Sequence, residues 1–266
     1  MNKDYIRKSN LEALKAAFEQ NKRGANFKFW KPIKYGKYTV RFLPPYSPDG
    51  IFYKQVTQHK IGDQYLFCPK TEGDPCPICE KYKQLYDIGT DEAIALAKDI
   101  KPKKEFLYNI IVKDELGKPT DDPTHVYVYM SGRLLYDALM DYFFDEDYGD
   151  LTDVENGYDF VINKQQGDLG FPTYKNSKPR KNPSKLMESE EDIEKVLSNI
   201  RDLDKEVEYK SYDELKKILD AYMINEKVGA SQFAEGDSKS EPDHKEEIEE
   251  EDMNEFEKEL LEGIKD

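Results

Sequence analysis

All three cysteines of this 266-residue chain fall between positions 68 and 79. They read Cys68-x7-Cys76-x2-Cys79, and His59 precedes Cys68 with eight residues between them. Cys76-Pro77-Ile78-Cys79 places two thiols on one tight knuckle, which His59 and Cys68 complete to four N and S donors. Four such donors, all from protein, are the ligand set and coordination number of a structural zinc, with no position left for a catalytic water. Pro69, Pro75, Pro77 and Gly73 stiffen the loop around the thiols. Tyr65, Leu66 and Phe67 read as a strand leading to the first sulfur.

Three other readings compete with zinc. A thioredoxin-like redox pair at Cys76 and Cys79 normally opens a helix in a βαβ unit, whereas this knuckle follows a Pro-rich loop. A disulfide is disfavoured by the odd cysteine count and by a composition that points to a reducing compartment, with no signal peptide. Inert core thiols would not be expected to cluster. Zinc is the favoured reading, and His59 is its least secure ligand. His125, beside Pro123 at a strand start, and His244, in an acidic stretch, are weaker candidates.

The net charge of −15 argues against a nucleic-acid partner until its distribution is read. Residues 1–60 carry 13 Lys and Arg against four acids, and residues 160–185 carry six against one. Residues 137–159 carry nine acids and no Lys or Arg, and residues 236–266 carry 14 acids against four lysines. A basic front and an acidic tail suggest a polyanion-binding body with a tail that competes for it. Only 38% of residues are hydrophobic and 36% are charged, so part of the chain is expected to be unfolded. No apolar run is long enough to span a bilayer, so no membrane partner is expected.

Residues 1–24 read as a basic N-terminal arm with Leu11, Leu14 and Phe18 at helical spacing. Tyr38, Val40 and Phe42 share one face of a strand, with Thr39, Arg41 and Leu43 on the other; Pro44-Pro45 ends it. Phe52–Val56, Phe106–Val112, Val126–Met130 and Tyr158–Asn163 read as further strands, with a turn signalled at Gly117-Lys118-Pro119. Asp91–Lys98, a stretch from Gly132, Ile193–Ile200 and Tyr212–Ile224 read as helices. From about residue 229 the chain is acidic, low in complexity and expected to be disordered. The pattern predicts a mainly β chain with added helices (α+β). Its core, residues 25–228, is a small OB-type barrel with a zinc-binding subdomain inserted at about 58–100.

There are 19 Tyr and 13 Phe, more rings than a core of this size needs. Three clusters interleave rings with cations. Phe27-Lys28-Phe29-Trp30-Lys31 runs on to Lys34, Tyr35, Lys37 and Tyr38. Lys101, Lys103 and Lys104 precede Phe106 and Tyr108. Phe171 and Tyr174 sit with Lys175, Lys178, Arg180 and Lys181. Such surfaces bind single-stranded nucleic acid: bases stack on rings for roughly 1–3 kcal/mol each, and cations follow the phosphates. Core aromatics beside solvated lysines are the plain reading of any one cluster. No Gly-rich phosphate loop, nucleophile with a base or paired-carboxylate site is present, so no enzyme is expected.

On these residues the chain resembles the single-stranded DNA-binding, helix-destabilising proteins of T-even-like bacteriophages. Val40-Arg41-Phe42-Leu43-Pro44 is similar to the first core strand of that family. His59, Cys68, Cys76 and Cys79 follow the order of its zinc ligands. Lys101–Lys104 with Asn109–Asp114 is similar to its lysine-rich segment and strand, and Gly170-Phe171-x-x-Tyr174 to its aromatic contact pair. Arg7-Lys8-Ser9-Asn10 is similar to its cooperativity motif, although Asn10 stands where the family tends to have a second hydroxyl. Leu107 stands where the family has a second aromatic, and the zinc loop here is shorter.

The resemblance implies sequence-independent, cooperative coating of single-stranded DNA in phage replication, recombination and repair, inside the infected bacterial host. It implies one structural Zn2+ and a basic cleft between barrel and zinc subdomain. Arg41, Lys101, Lys103, Lys104 and Lys175 are expected at phosphates. Tyr65, Tyr82, Tyr86, Phe106, Tyr129, Phe171 and Tyr174 are expected to line the DNA or stack on it. Arg7, Lys8 and Ser9 are expected to mediate self-association along DNA. Phe256, Leu260, Leu261 and Ile264 fall near one helical face of the tail and are expected to dock replication and recombination proteins. An acidic zinc-containing adaptor without direct DNA binding, or an RNA-binding protein of similar architecture, are the alternatives.

Overall fold

Residues Gly36–Phe42 form the first strand, β1, in the computed structural model of the protein, which describes residues 29–167 and 170–233. Of these, residues 29–52 and 108–201 form one compact unit, and 53–107 and 202–233 a second. Strands outnumber helices: nine against five, with one 3-10 turn, among the described residues.

In the first unit β1 is a central strand. It pairs antiparallel with β4 (Lys103–Glu115), Val40 facing Val112 and Phe42 facing Ile110. On its other edge it pairs with β7 (Phe160–Gln166), Val40 facing Phe160 and Gly36 facing Lys164. β4 also pairs with β5 (Lys118–Pro119) and β6 (Val126–Gly132). β7 also pairs with two short strands, β8 (Pro172–Thr173) and β9 (Lys178–Pro179). The β4–β5 turn sits at Leu116-Gly117, both at positive φ, one residue before the predicted position. That is the backbone of a two-residue hairpin whose twist matches its strands.

The alternation read in β1 predicts one inward and one outward face, but both are covered: Thr39 through Phe42 are all buried. On one side Phe42 meets Tyr108 and Phe160 edge to face. On the other, Leu43 packs with Ile111, Val126, Leu186, Ile193 and Val196. Ile193 and Val196 lie on helix α4 (Glu190–Ser198), which α3 (Arg133–Phe143) precedes in the chain. The acids of 137–159 shape loops: Asp145, Asp150 and Asp153 each accept backbone N–H groups two residues on, the Asx geometry that starts turns.

The second unit is built on a hairpin, β2 (Tyr53–Ile61) and β3 (Gln64–Phe67), with His59 facing Leu66. β4, whose residues 103–107 belong to this unit, neighbours β2 in the sheet. A 3-10 turn at Pro69–Glu72 leads to α1 (Pro77–Ile88) and α2 (Asp91–Ile100). Thr90 caps α2 by accepting from Ala93 N–H. The last helix, α5 (Tyr212–Phe233), starts at a capping box in which Ser211 and Glu214 satisfy each other's N–H groups. Leu215 and Leu219 of α5 join Ile78, Tyr82, Leu85, Ala97, Ile100 and the three cysteines in one buried core.

The basic arm, its predicted helix, and the self-association residues Arg7, Lys8 and Ser9 lie outside the described residues. So do His244 and the tail residues Phe256, Leu260, Leu261 and Ile264. No described helix is long and apolar enough to cross a membrane.

Candidate metal centre and nucleic-acid interface

Three elements deliver the four predicted donors to one point of the second unit. His59 comes from β2, Cys68 from the end of β3, Cys76 from the residue that caps α1, and Cys79 from its first turn. All four are buried, and their donor atoms lie within 4.8 Å of one another. Cys68 Sγ is 3.5 Å from Cys79 Sγ, and His59 Nε2 is 3.6 Å from Cys76 Sγ and 3.4 Å from Cys79 Sγ. Tetrahedral zinc with Zn–S of about 2.3 Å and Zn–N of about 2.05 Å has S···S edges of about 3.8 Å and N···S edges of about 3.6 Å. The donors therefore already stand close to the corners of such a tetrahedron.

The remaining imidazole nitrogen fixes which face is offered. His59 Nδ1 lies 2.9 Å from the Ile100 carbonyl, so Nδ1 carries the proton and donates it. Burial alone would lower the His59 pKa, but the hydrogen bonds with Cys68 and Cys76 outweigh it and raise it to about 9, so Nε2 holds a proton against the sulfurs. A metal would take the Nε2 lone pair in place of that proton, with Nδ1 oriented as is common for metal-bound histidines. Without a cation the sulfurs disturb one another. Hydrogen bonds with Cys68 and Cys79 hold the Cys76 thiol well below its ordinary value, and Cys68 and Cys76 push that of Cys79 up. A dication stabilises all three thiolates together. These four residues can hold a metal ion, and the donor set is that of zinc.

The Cys76–Cys79 knuckle differs here from the loop expected of it. The knuckle does open a helix, because Cys76 is the N-cap of α1 and Pro77 is its first residue. The stronger discriminator is that His59 and Cys68 are drawn to the same two sulfurs. The Ile100 carbonyl, which orients His59, carries no side-chain signal in the sequence.

Two of the aromatic-basic clusters, more than 130 residues apart, flank one strand, β7, in the first unit. Gly36 and Lys37 face Lys164 and Asn163, and the next two residues of β7, Gln165 and Gln166, face Thr173 and Pro172. Tyr35, Lys37, Lys164 and Phe171 are thereby brought to one end of the sheet. Lys164 donates to the Pro32 and Ile33 carbonyls, and its ammonium lies 5.6 Å from the centre of the exposed Tyr35 ring. Burial, then repulsion from Lys164, lowers the pKa of Lys31. A pair of crowded cations gains from a bound phosphate. Phe171 is 74% exposed, Lys175 is exposed, and Tyr174 is half-buried. Lys164 was not among the expected contacts; only its strand register with Gly36 reveals it.

In the second unit Tyr65 is 64% exposed and faces Lys60 across the hairpin. Lys103 is exposed, and Lys101 and Lys104 are half-buried. Glu105 lies among these lysines, and burial raises its carboxyl pKa to about 7.

Other expected contacts are core residues here. Phe106 is 1% exposed, its ring against Tyr53. Tyr129 is 2% exposed, against Trp30 and Tyr108. Tyr82 is buried and Tyr86 half-buried against it. Arg41 is wholly buried, so its guanidinium faces protein and not solvent. It donates to Asp159, to Ser184 Oγ and to the carbonyls of Asp153 and Ser184. A Cβ on Gly157 would stand 2.7 Å from its Nη2, so the loop leaves room for it by having none.

A sheet carrying exposed rings and cations, joined in sequence to a four-donor metal centre, fits a nucleic-acid-binding class of protein. The sequence model of the family described as gp32 DNA binding protein like matches residues 34–223. The chain belongs to this family, and it is a DNA-binding protein. No curated protein matches it closely enough to be named as a relative.

Proposed function

We propose that this protein coats single-stranded DNA without regard to sequence, in phage replication, recombination and repair within the bacterial host. The observation that carries this reading is the strand register that brings Tyr35, Lys37 and Lys164 to the same sheet end as Phe171. Exposed rings accept any base by stacking, while the lysines neutralise phosphates; neither reads a base edge. Lys175, Lys178 and Lys181 extend the basic run. On the second unit, Tyr65, Lys101, Lys103 and Lys104 are rings and lysines of the same kind. We read the core as OB-type, the metal as one structural Zn2+, and its role as holding the wall that carries those residues.

The sequence beyond the described residues fits the same reading. A tail with 14 acids in residues 236–266 resembles a polyanion and competes for the lysines until DNA displaces it. Freed, it offers Phe256, Leu260, Leu261 and Ile264 to partner proteins. Arg7, Lys8 and Ser9 link neighbouring copies along the strand.

Filter binding with oligo-dT, a matched RNA and a matched duplex at low salt tests the proposal. Tight binding to oligo-dT, weaker binding to RNA and duplex, and loss in Phe171→Ala with Lys175→Ala are expected. Binding to none of the three supports the adaptor reading instead, and preference for RNA supports an RNA-binding protein.

A further inference from the structure

The first unit also holds two adjoining pockets, the larger of which borders the sheet-end surface at Lys31 and Ile33. One, of about 490 Å3, is walled by Trp30, Tyr127 and His125 and edged by Lys34 and Arg201. The other, of about 260 Å3, lies among Lys195, Asn199 and Asp122, and shares His125 and Arg201 with the first. The larger is aromatic and of the size of small-molecule sites, roughly 300–1,000 Å3. The smaller has two permanent cations. Its one carboxylate, Asp122, already accepts from the N–H and hydroxyl of Thr124.

The walls are held in place. Trp30 is bonded through its backbone N–H to the Val128 carbonyl and through its indole N–H to Glu115. Its ring meets Tyr38 and Tyr129 edge to face. The His125 and Tyr127 rings stand 4.3 Å apart. Asn109 clamps the backbone of Arg201 from both sides, accepting its N–H and donating to its carbonyl.

A ring-lined cavity that opens into a cationic one matches a ligand with a flat apolar half and an anionic half. We infer that this is a nucleotide pocket: a base lies against Trp30 and Tyr127, and its 5′-phosphate meets Arg201 and Lys195. The ligand is one nucleotide, free or within a strand. The inference takes only its ligand class from the DNA-binding reading and does not involve Phe171 or Lys175.

Trp30 is the sole tryptophan, so its fluorescence reports this pocket. The full chain is titrated with deoxynucleoside 5′-monophosphates, with the matching nucleosides, and with oligo-dT. Saturable quenching by the monophosphates is expected, with nucleosides weaker by roughly tenfold because the charge-assisted phosphate contacts are missing. Arg201→Ala and the surface variant Lys195→Gln should each weaken monophosphate binding by roughly fivefold or more, and Phe171→Ala with Lys175→Ala should not. The Asn109 clamp acts on the backbone and survives Arg201→Ala. If no monophosphate quenches Trp30, or if nucleosides and both variants match the wild type, the pocket is overturned. Intact oligo-dT binding in that case leaves the coating proposal standing, and its loss removes both.

Discussion

Removing the metal should unfold the second unit rather than trim an activity. The donors come from β2, the end of β3 and the start of α1, so the ion ties three separate segments of one core. Cys68, Cys76 and Cys79 are themselves members of that core, beside Ile78, Ala97 and Ile100. Structural zinc contributes an apparent ~10–16 kcal/mol in small zinc domains. A whole domain is stable by only about 5–15 kcal/mol. Stripping the ion thus costs as much as the unit has, and it leaves sulfurs crowded at 3.5 Å with no cation between them. His59→Ala adds a further cost, because the buried Ile100 carbonyl loses its donor, about 1–3 kcal/mol. The assay is zinc release, followed with a colorimetric chelator as the thiols are titrated, in parallel with thermal unfolding by circular dichroism. One zinc per chain is expected, with release and loss of helix signal coinciding, and a substoichiometric ion with early melting in His59→Ala. A protein that melts at the same temperature before and after its zinc is removed, or that is isolated folded without zinc, would refute the reasoning.

Arg41→Met should destabilise the first unit by about 3 kcal/mol in urea unfolding, since it strips partners from Asp159 and from the Asp153 and Ser184 carbonyls. The folded variant should keep its oligo-dT affinity within about twofold, as a buried group meets no phosphate; a large affinity loss would return Arg41 to the interface. Glu105 has a folded pKa of about 7 against an ordinary 4.5, raised by burial. The folded state therefore holds the extra proton between those values, and stability falls as pH rises from about 4.5 to 7, then levels. Glu105→Gln should flatten that slope and raise the melting temperature at pH 8; an unchanged profile would show that the carboxyl is solvated. Deleting residues 236–266 should tighten binding to DNA, duplex most of all, and unchanged affinity would leave the tail a solubilising role.

Much of the metal centre was legible because its chemistry is in residue types and spacing: four donors, one knuckle, and no other cysteine. The strands at Gly36–Phe42, Lys103–Glu115 and Val126–Gly132 were legible from β-branched and aromatic runs. Helix α1 was not, because Pro77 reads as a loop stiffener unless it is seen as a first helical residue, and Glu80-Lys81-Tyr82-Lys83 shows little apolar periodicity. The start of α4 at Glu190 was missed for the opposite reason. Its first turn is wholly acidic, and the Ser189 cap was the available signal. Arg41 misled because period two says only that it lies opposite Val40 and Phe42. That its face is covered by residues 153–159 and 184 is a tertiary fact. Phe106 and Tyr129 misled in the same way. Conversely, the placing of Tyr35 and Phe171 at one end of the sheet depends on the register of β1 and β8 against β7, which no local pattern encodes.

The most direct test of the account is the salt dependence of oligo-dT affinity, measured by titration in wild type and in a variant lacking the sheet-end lysines. Lys37, Lys164, Lys175, Lys178 and Lys181 give five candidate phosphate contacts on the first unit. At roughly −0.7 per phosphate, log Kobs against log salt should fall with a slope of about −3.5 or steeper. Replacing Lys164 and Lys175 by Ala should make it shallower by about 1.4. A slope near zero, or one that those substitutions leave untouched, contradicts the claim that this surface carries the strand.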